Sequence, residues 1–339
     1  MKYFSISIFN RGLGDNIMAY RYYKSLSMHG KTHNNFSLIY VKSDLELEMI
    51  KLLNLQNIQF KKIGYSPKLA ILYNIKPLID KLIFLFDILF FKKTKYLIFL
   101  DSSKNKLVKL ISFFYKRSFI IGSSKFFANI FDKNIILDED LHLSDSLIHF
   151  LPPEVNFVNK SNIRKNFSFI ENKNNFENYL VFAPGSGELE KHKRWPAIYY
   201  SKLADLLINT DTKIIIIGSI NEKILINNIL KNTSNQNIQV YIPKNLIDSL
   251  SIFKYSKLVV GGDSGNLHLA SIVNHNILAI WGPTNKYKTS PKTKNIKFID
   301  LNLSCSPCYN KYRTGCGNNI CLKNILPNFV FDNILQILK

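Results

Sequence analysis

Along this chain, short apolar runs of strand length alternate with segments whose apolar residues recur three and four positions apart. Positions 3–9 (YFSISIF), 36–41 and 58–60 read as strands. Positions 17–29 and 46–53 read as helices, the first carrying Met18, Tyr22 and Leu26 on one face. Strands at 96–100 and 118–121 continue the series. It resumes with strands at 179–182, 213–217, 238–240, 258–260 and 277–281, separated by helical patterns at 197–208, 221–230, 246–254 and from 263 onward. Such alternation predicts parallel sheets covered by helices, a doubly wound α/β architecture built twice. Between Pro152 and Asn178 the pattern dissolves into Asn, Lys and Ser with scattered Phe. That places a linker at 161–177 between domains at 1–160 and 178–325, with a closing helix at 326–339.

The most hydrophobic stretch, 75–91, is interrupted by Lys76, Asp80, Lys81 and Asp87. A membrane span wants ~20 largely uncharged residues, so a helix partly buried in its domain is expected, the alternative being one resting on a membrane surface. Positions 106–116 repeat the basic and aromatic character. The formal net charge of +21 points to anionic partners: nucleic acid, an acidic membrane or a phosphorylated substrate. Lys, Asn and Ile crowd even unremarkable positions, so much of that charge reads as compositional bias. With no nucleic-acid module and no basic helix carrying stacking aromatics, nucleic acid is not an expected partner. No signal-peptide pattern opens the chain, and all four cysteines lie between 305 and 321, so no disulfide framework spans it. A cytoplasmic protein is expected.

Four loops after strands carry candidate chemistry. Arg11-Gly12-Leu13-Gly14-Asp15 follows the first strand; Ile17 stands where the dinucleotide fingerprint needs its third glycine, so nicotinamide binding is disfavoured. Gly12 and Gly14 still permit close backbone approach to a ligand, and Asp15 is either a ligand contact or an N-cap carboxylate. After 179–182, the small residues Pro184 to Gly187 lead into Lys191, His192, Lys193 and Arg194, either a cationic loop suited to a diphosphate or a solvated face. After 213–217, Glu222 is placed either to accept from a ribose or to answer a helix dipole. The stretch GGDSGNLHLA at 261–270 opens a helix on Asp263, Ser264 and Gly265, either a site where backbone N–H groups and the dipole favour phosphate or an ordinary capped αβ turn. His268 is either a ligand contact or an interior histidine. Asp138-Glu139-Asp140 fits an Asp-x-Asp metal string but reads as a solvated loop. Cys305, Cys308, Cys316 and Cys321 offer four thiolates, either for a metal or as reduced structural residues; the second pair has irregular spacing.

RGLGD at 11–15, APGS at 183–186, KRWP at 193–196, GDSGNLHLA at 262–270, WGPT at 281–284 and the cysteine-bearing tail at 305–325 occur in an order that resembles glycosyltransferase family 9, the ADP-heptose:lipopolysaccharide heptosyltransferases. The resemblance implies a GT-B fold, two Rossmann-like domains facing a central cleft. The N-terminal domain would bind the acceptor and the C-terminal domain the nucleotide-sugar. It implies inverting, metal-independent transfer with no cofactor, from a donor expected to be ADP-heptose to a lipid-linked anionic inner-core acceptor of lipopolysaccharide. That chemistry would proceed at the cytoplasmic face of the inner membrane, with peripheral membrane contact. By motif position Asp15 matches the general base, and Lys193 with neighbouring Arg194 the phosphate-binding cations. Asp263, Ser264, Gly265 and His268 match the donor loop, and Ser186 and Glu222 further donor contacts. Ser264 and Asn266 depart from the usual loop, which leaves open another nucleotide-sugar in polysaccharide or glycoprotein assembly. A non-catalytic scaffold is opposed by the joint presence of Asp15, Lys193 and Asp263.

Overall fold

The computed structural model describes all residues except 1, 10, 64–92, 103–110, 112–114, 116–117, 125–127, 137, 139–140, 160–161, 173–175, 211, 275, 294–295 and 309–317. The expected helix at 75–91, most of 106–116, the end of the Asp-x-Asp string and Cys316 therefore lie outside the described residues. No helix among the described residues is long and apolar enough to cross a membrane.

The chain divides into two units, Met1–Asn166 and Phe167–Lys339. The first holds β1 (Lys2–Phe9), β2 (Ser37–Val41), β3 (Ile58–Lys62), β4 (Lys93–Ser102), β5 (Phe119–Ser123) and β6 (Lys133–Asn134), in the order β3-β2-β1-β4-β5-β6. The second holds β7 (Tyr179–Ala183), β8 (Lys213–Ile217), β9 (Ile238–Tyr241), β10 (Leu258–Gly262), β11 (Ile277–Ile280) and β12 (Ile296–Ile299), in the order β12-β11-β10-β7-β8-β9. All described pairings are parallel. Counted within each unit, both sheets have the Rossmann order 3-2-1-4-5-6. Each therefore reverses direction once, between β1 and β4 and between β7 and β10, and that reversal opens a crevice at the strands' carboxyl ends.

Burial on both faces explains the continuous apolar strands. Leu180, Phe182, Ile214, Ile216, Leu258, Val260, Leu278 and Ile280 enter one core with Trp195 and Tyr200, and Val181, Ile215, Val259 and Ile277 between them are equally buried. Val330 and Ile334 bring the Pro327–Leu338 helix into the same core, against the Ala197–Leu206 helix. The other unit's core gathers Ile6, Leu38, Tyr40, Leu97, Phe99 and Ile120.

Several boundaries differ from the sequence reading. The helix expected at 17–29 starts at Leu13 and runs as Leu13–Met18 and Tyr20–His33, so Gly14 and Asp15 sit in its first turn. Asn16 explains the early start: fully buried, it donates to the carbonyls of Arg11 and Gly12 (3.1 and 3.0 Å) and accepts from the Tyr23 hydroxyl. β6 is a two-residue edge strand, too short to be read from pattern, and β12 is an edge strand that the pattern did not single out. The division after Asn166 falls within the expected linker. There Phe167, Ile170 and Phe176 are buried, and Lys254 donates to the carbonyls of Phe167, Ser168 and Ile170.

Candidate functional site

The reversal between β7 and β10 brings two loops together that lie about eighty residues apart in sequence. Gly261 pairs with Ala183 at the strand tips, and a Cβ on Gly262 would lie 3.1 Å from the Lys193 carbonyl. A side chain at Gly262 would have to push the Lys193 carbonyl back by a few tenths of an ångström, so glycine suits this close approach of the β10 backbone to the Lys193 loop. That loop is a short 3₁₀ turn, Glu188–Lys193, followed by the Ala197–Leu206 helix with Pro196 at its N-cap. Trp195 anchors it: the indole is 1% exposed, packs edge-on against Tyr200, and donates to the Ile325 carbonyl at 2.9 Å.

Lys193 and Asp263 form the centre of the site. The ammonium lies 3.0 Å from Asp263 Oδ2 and 3.2 Å from Glu190 Oε1, with the Lys193 and Asp263 side chains only 11% and 10% exposed. It sits off the direction of a well-formed hydrogen bond to Oδ2, so the Lys193–Asp263 attraction is chiefly between charges. Beside it, burial and the Lys193 charge push the His192 imidazole below its ordinary value, opposed by Glu190 and Asp263. Arg194 has a different task. Its Nε donates to Ser186 Oγ (3.0 Å) and its Nη2 to the Ser186 carbonyl (2.8 Å), while Ser186 Oγ donates to the Glu190 carbonyl. Arg194 thus braces the loop around Ser186. Lys191 pairs with Glu188 on the surface. Both lysines of the cationic run are matched by carboxylates, a pairing that sequence order did not reveal.

Asp263 and Ser264 precede the Gly265–Val273 helix, whose N-cap Ser264 accepts from the Leu267 N–H. His268, one turn in, is 3% exposed. Glu222 closes the other side at the tip of β8. Its Oε2 accepts from the Ser219 N–H and hydroxyl (2.8 and 2.9 Å) in a capping box, and a Cβ on Gly185 would lie 1.7 Å from its Oε1. Ser186, Lys193, Arg194, Glu222, Asp263, Ser264 and Gly265 therefore gather at the carboxyl ends of β7, β8 and β10. This crevice can hold an anion between one lysine and a helix start.

Asp15 and the two glycines belong to the other unit. The Asp15 carboxylate is 29% exposed and lies 3.9 Å from the Arg11 guanidinium. Gly12, extended at φ −74°, needs no glycine for its backbone, and a Cβ there would meet nothing within 4 Å. Among the cysteines, Cys305 is exposed, Cys308 half-buried and Cys321 buried. No group of three or more metal-ligating side chains occurs among the described residues.

The model of glycosyltransferase family 9 (heptosyltransferase) matches residues 152–315, the segment that builds this crevice. The chain is 29% identical over 265 residues to lipooligosaccharide heptosyltransferase 2 of Campylobacter jejuni, covering 70% of this chain and 78% of that protein. Residues 152–315 form a glycosyltransferase family 9 domain. It is also 29% identical over 166 residues to lipopolysaccharide heptosyltransferase 2 of Escherichia coli K12, a match spanning 47% of this chain and 46% of that one. Its fold is that of the solved E. coli ADP-heptose lipopolysaccharide heptosyltransferase II, with a TM-score of 0.70 at 17% identity over 99% of this chain and 98% of the other. E. coli heptosyltransferase WaaC with ADP gives a TM-score of 0.70 at 13% identity, covering 99% and 100%. The GT-B class of two Rossmann-like domains follows.

In this glycosyltransferase the sequence reading missed three residues that shape the site. Glu190, the second partner of Lys193, was legible only as an i, i+3 pair inside a turn whose geometry the sequence left open. Asn16 reads as one Asn among many. Asn319, which donates to the His192 carbonyl at 2.7 Å, lies 127 residues away and carries no local signal.

Proposed function

We propose that this glycosyltransferase moves heptose from ADP-heptose onto an inner-core hydroxyl of lipopolysaccharide, with inversion and without a metal ion. The observation that carries the reading is the Lys193–Asp263 pair set against the start of the Gly265–Val273 helix in the β7/β10 crevice. Phe167–Lys339 is the donor unit and Met1–Asn166 the acceptor unit. The acceptor oxygen attacks the anomeric carbon as its proton passes to the Asp15 carboxylate. The bond to the diphosphate oxygen breaks, and ADP leaves with the electron pair. A hydroxyl is a poor nucleophile until a base takes its proton, which is the work assigned to Asp15. Charge developing on the departing diphosphate meets Lys193 and the helix N-terminus, which serve where other transferases use a divalent ion. Arg194, tied to Ser186, holds the loop in shape for that charge. Glu222, Ser264, Gly265 and His268 complete the donor side, and Gly12 and Gly14 allow the acceptor to approach. The heptosyltransferase relatives and the overall basic charge support a phosphorylated, lipid-linked acceptor at the cytoplasmic face of the inner membrane.

Donor binding tests this directly. A ligand at ~100 times its dissociation constant stabilises the folded protein by about 2.7 kcal/mol, a shift of several degrees in melting temperature. ADP-heptose and ADP are expected to give it with EDTA present. Stabilisation only by a UDP- or GDP-sugar replaces the donor, and dependence on a divalent ion removes the metal-free mechanism. Near-wild-type transfer by Asp15→Ala removes the assigned base.

A further inference from the structure

Lys193 stands on a short, irregular turn. Glu190 inside it departs from helical geometry (φ −121°, ψ 27°), and the turn's own bonds join Glu190 N–H to the Gly187 carbonyl and Arg194 N–H to the Lys191 carbonyl. The carbonyl of His192, immediately before Lys193, is held from outside by the Asn319 side chain, whose Nδ2 donates at 2.7 Å. The amide is itself oriented. Its Oδ1 accepts from the buried Cys321 thiol at 3.7 Å, which leaves Nδ2 directed at His192. Asn319 adopts the left-handed conformation (φ 51°, ψ 41°) and caps the Ile320–Lys323 helix, its carbonyl accepting from the N–H groups of Leu322 and Lys323. Two residues past Lys193, Trp195 donates to the carbonyl of Ile325 in the same C-terminal segment. Lys193 and Arg194 are thus suspended between two tethers, at His192 and Trp195, to residues 319–325. The β10 backbone at Gly262 backs the Lys193 carbonyl from behind.

We propose that Asn319 is a positioning residue of the donor site. By fixing the His192 carbonyl it sets the direction from which Lys193 reaches Asp263 and the donor diphosphate. The inference rests on Lys193 as the diphosphate's cation. Asn319 touches no substrate; it acts through the turn.

Two variants of the full chain test it. Asn319→Gly keeps the left-handed backbone at no steric cost and removes the amide. Asn319→Asp keeps the size and the backbone tolerance but replaces the donor with a carboxylate. Loss of one neutral hydrogen bond to the turn is expected to raise the calorimetric Kd for ADP and the donor KM about three- to tenfold in both. The acceptor KM should stay at the wild-type value and the melting temperature within a few degrees. Asn319→Gly should change ADP affinity less than about twofold in a Lys193→Met/Asp263→Asn background, because the group it positions is gone. Wild-type ADP affinity in both single variants overturns the proposal, as does an acceptor KM that rises with the donor KM. A full effect without Lys193, or loss of folding in both variants, overturns it too. Failure of the unmutated protein to bind ADP would instead take down the donor reading, and this inference with it.

Discussion

Replacing Lys193 with Met leaves two carboxylates, Asp263 and Glu190, around an apolar stem. The ammonium is 3.0 Å from Asp263 Oδ2 and 3.2 Å from Glu190 Oε1 in the wild type. At an effective dielectric constant of about 20, opposite charges at that separation attract by about 5–6 kcal/mol. Desolvation of two nearly buried groups consumes much of that gain, but removing one partner strands the other, which costs about 3–5 kcal/mol. Lys193→Met is therefore expected to lose about 3 kcal/mol or more in urea unfolding of the unit Phe167–Lys339. Asp263→Asn should cost less, about 1–2 kcal/mol, because Glu190 still accompanies the lysine. The double variant should be more stable than Lys193→Met alone, with a coupling of at least about 2 kcal/mol across the cycle. The same double variant should still bind ADP more weakly than the wild type, since a neutral pair offers the diphosphate no charge. Additive losses, or a Lys193→Met protein as stable as wild type, would refute the argument that this pair is buried and mutually dependent.

Three further expectations concern other parts of the molecule. Gly185→Ala puts a methyl group where Glu222 Oε1 lies, so the carboxylate must leave its capping box on Ser219, at a cost of about 0.5–2 kcal/mol. Adding Glu222→Ala should then cost almost nothing more, which thermal unfolding of single and double variants will check. The Tyr200 hydroxyl is buried with no hydrogen-bond partner among the described residues, and burial pushes its pKa up, so Tyr200→Phe should be neutral or stabilising by up to about 1 kcal/mol. A clear loss of stability would show that a partner exists. Burial opposes ionisation of Glu154, but hydrogen bonds from Lys95 and Tyr96 outweigh it and hold its carboxyl at about 2. Its pKa is thus depressed on folding, so its contribution is complete above the unfolded value of about 4.3 and is lost as pH falls towards 2. Glu154→Gln should flatten the acid limb of stability between about pH 5 and 2, by a small amount because the group is partly exposed.

The strand–helix alternation was legible because a parallel sheet covered on both faces needs apolar strands, as at 258–260 and 213–217, whatever the rest of the chain does. The small-residue turns after β1, β7 and β10 were legible for a related reason: glycine at a strand tip has few local alternatives. Helix starts were read less well. Leu13–Met18 begins four residues early because Asn16 turns inward to the Arg11 and Gly12 carbonyls, a choice that needs Tyr23 already in place.

By itself, then, the sequence determined a twice-built doubly wound fold and the loops that carry Asp15, Lys193 and Asp263, because periodicity and turn chemistry are local properties. Tertiary structure alone decided what those side chains do there. It matched Lys193 with Asp263 across 70 residues, gave Arg194 to Ser186, held Glu222 against Gly185, and brought Asn319 to the His192 carbonyl. Those assignments depend on which strand lies beside which, and strand order is set by the packing of whole layers rather than by any segment's own preference.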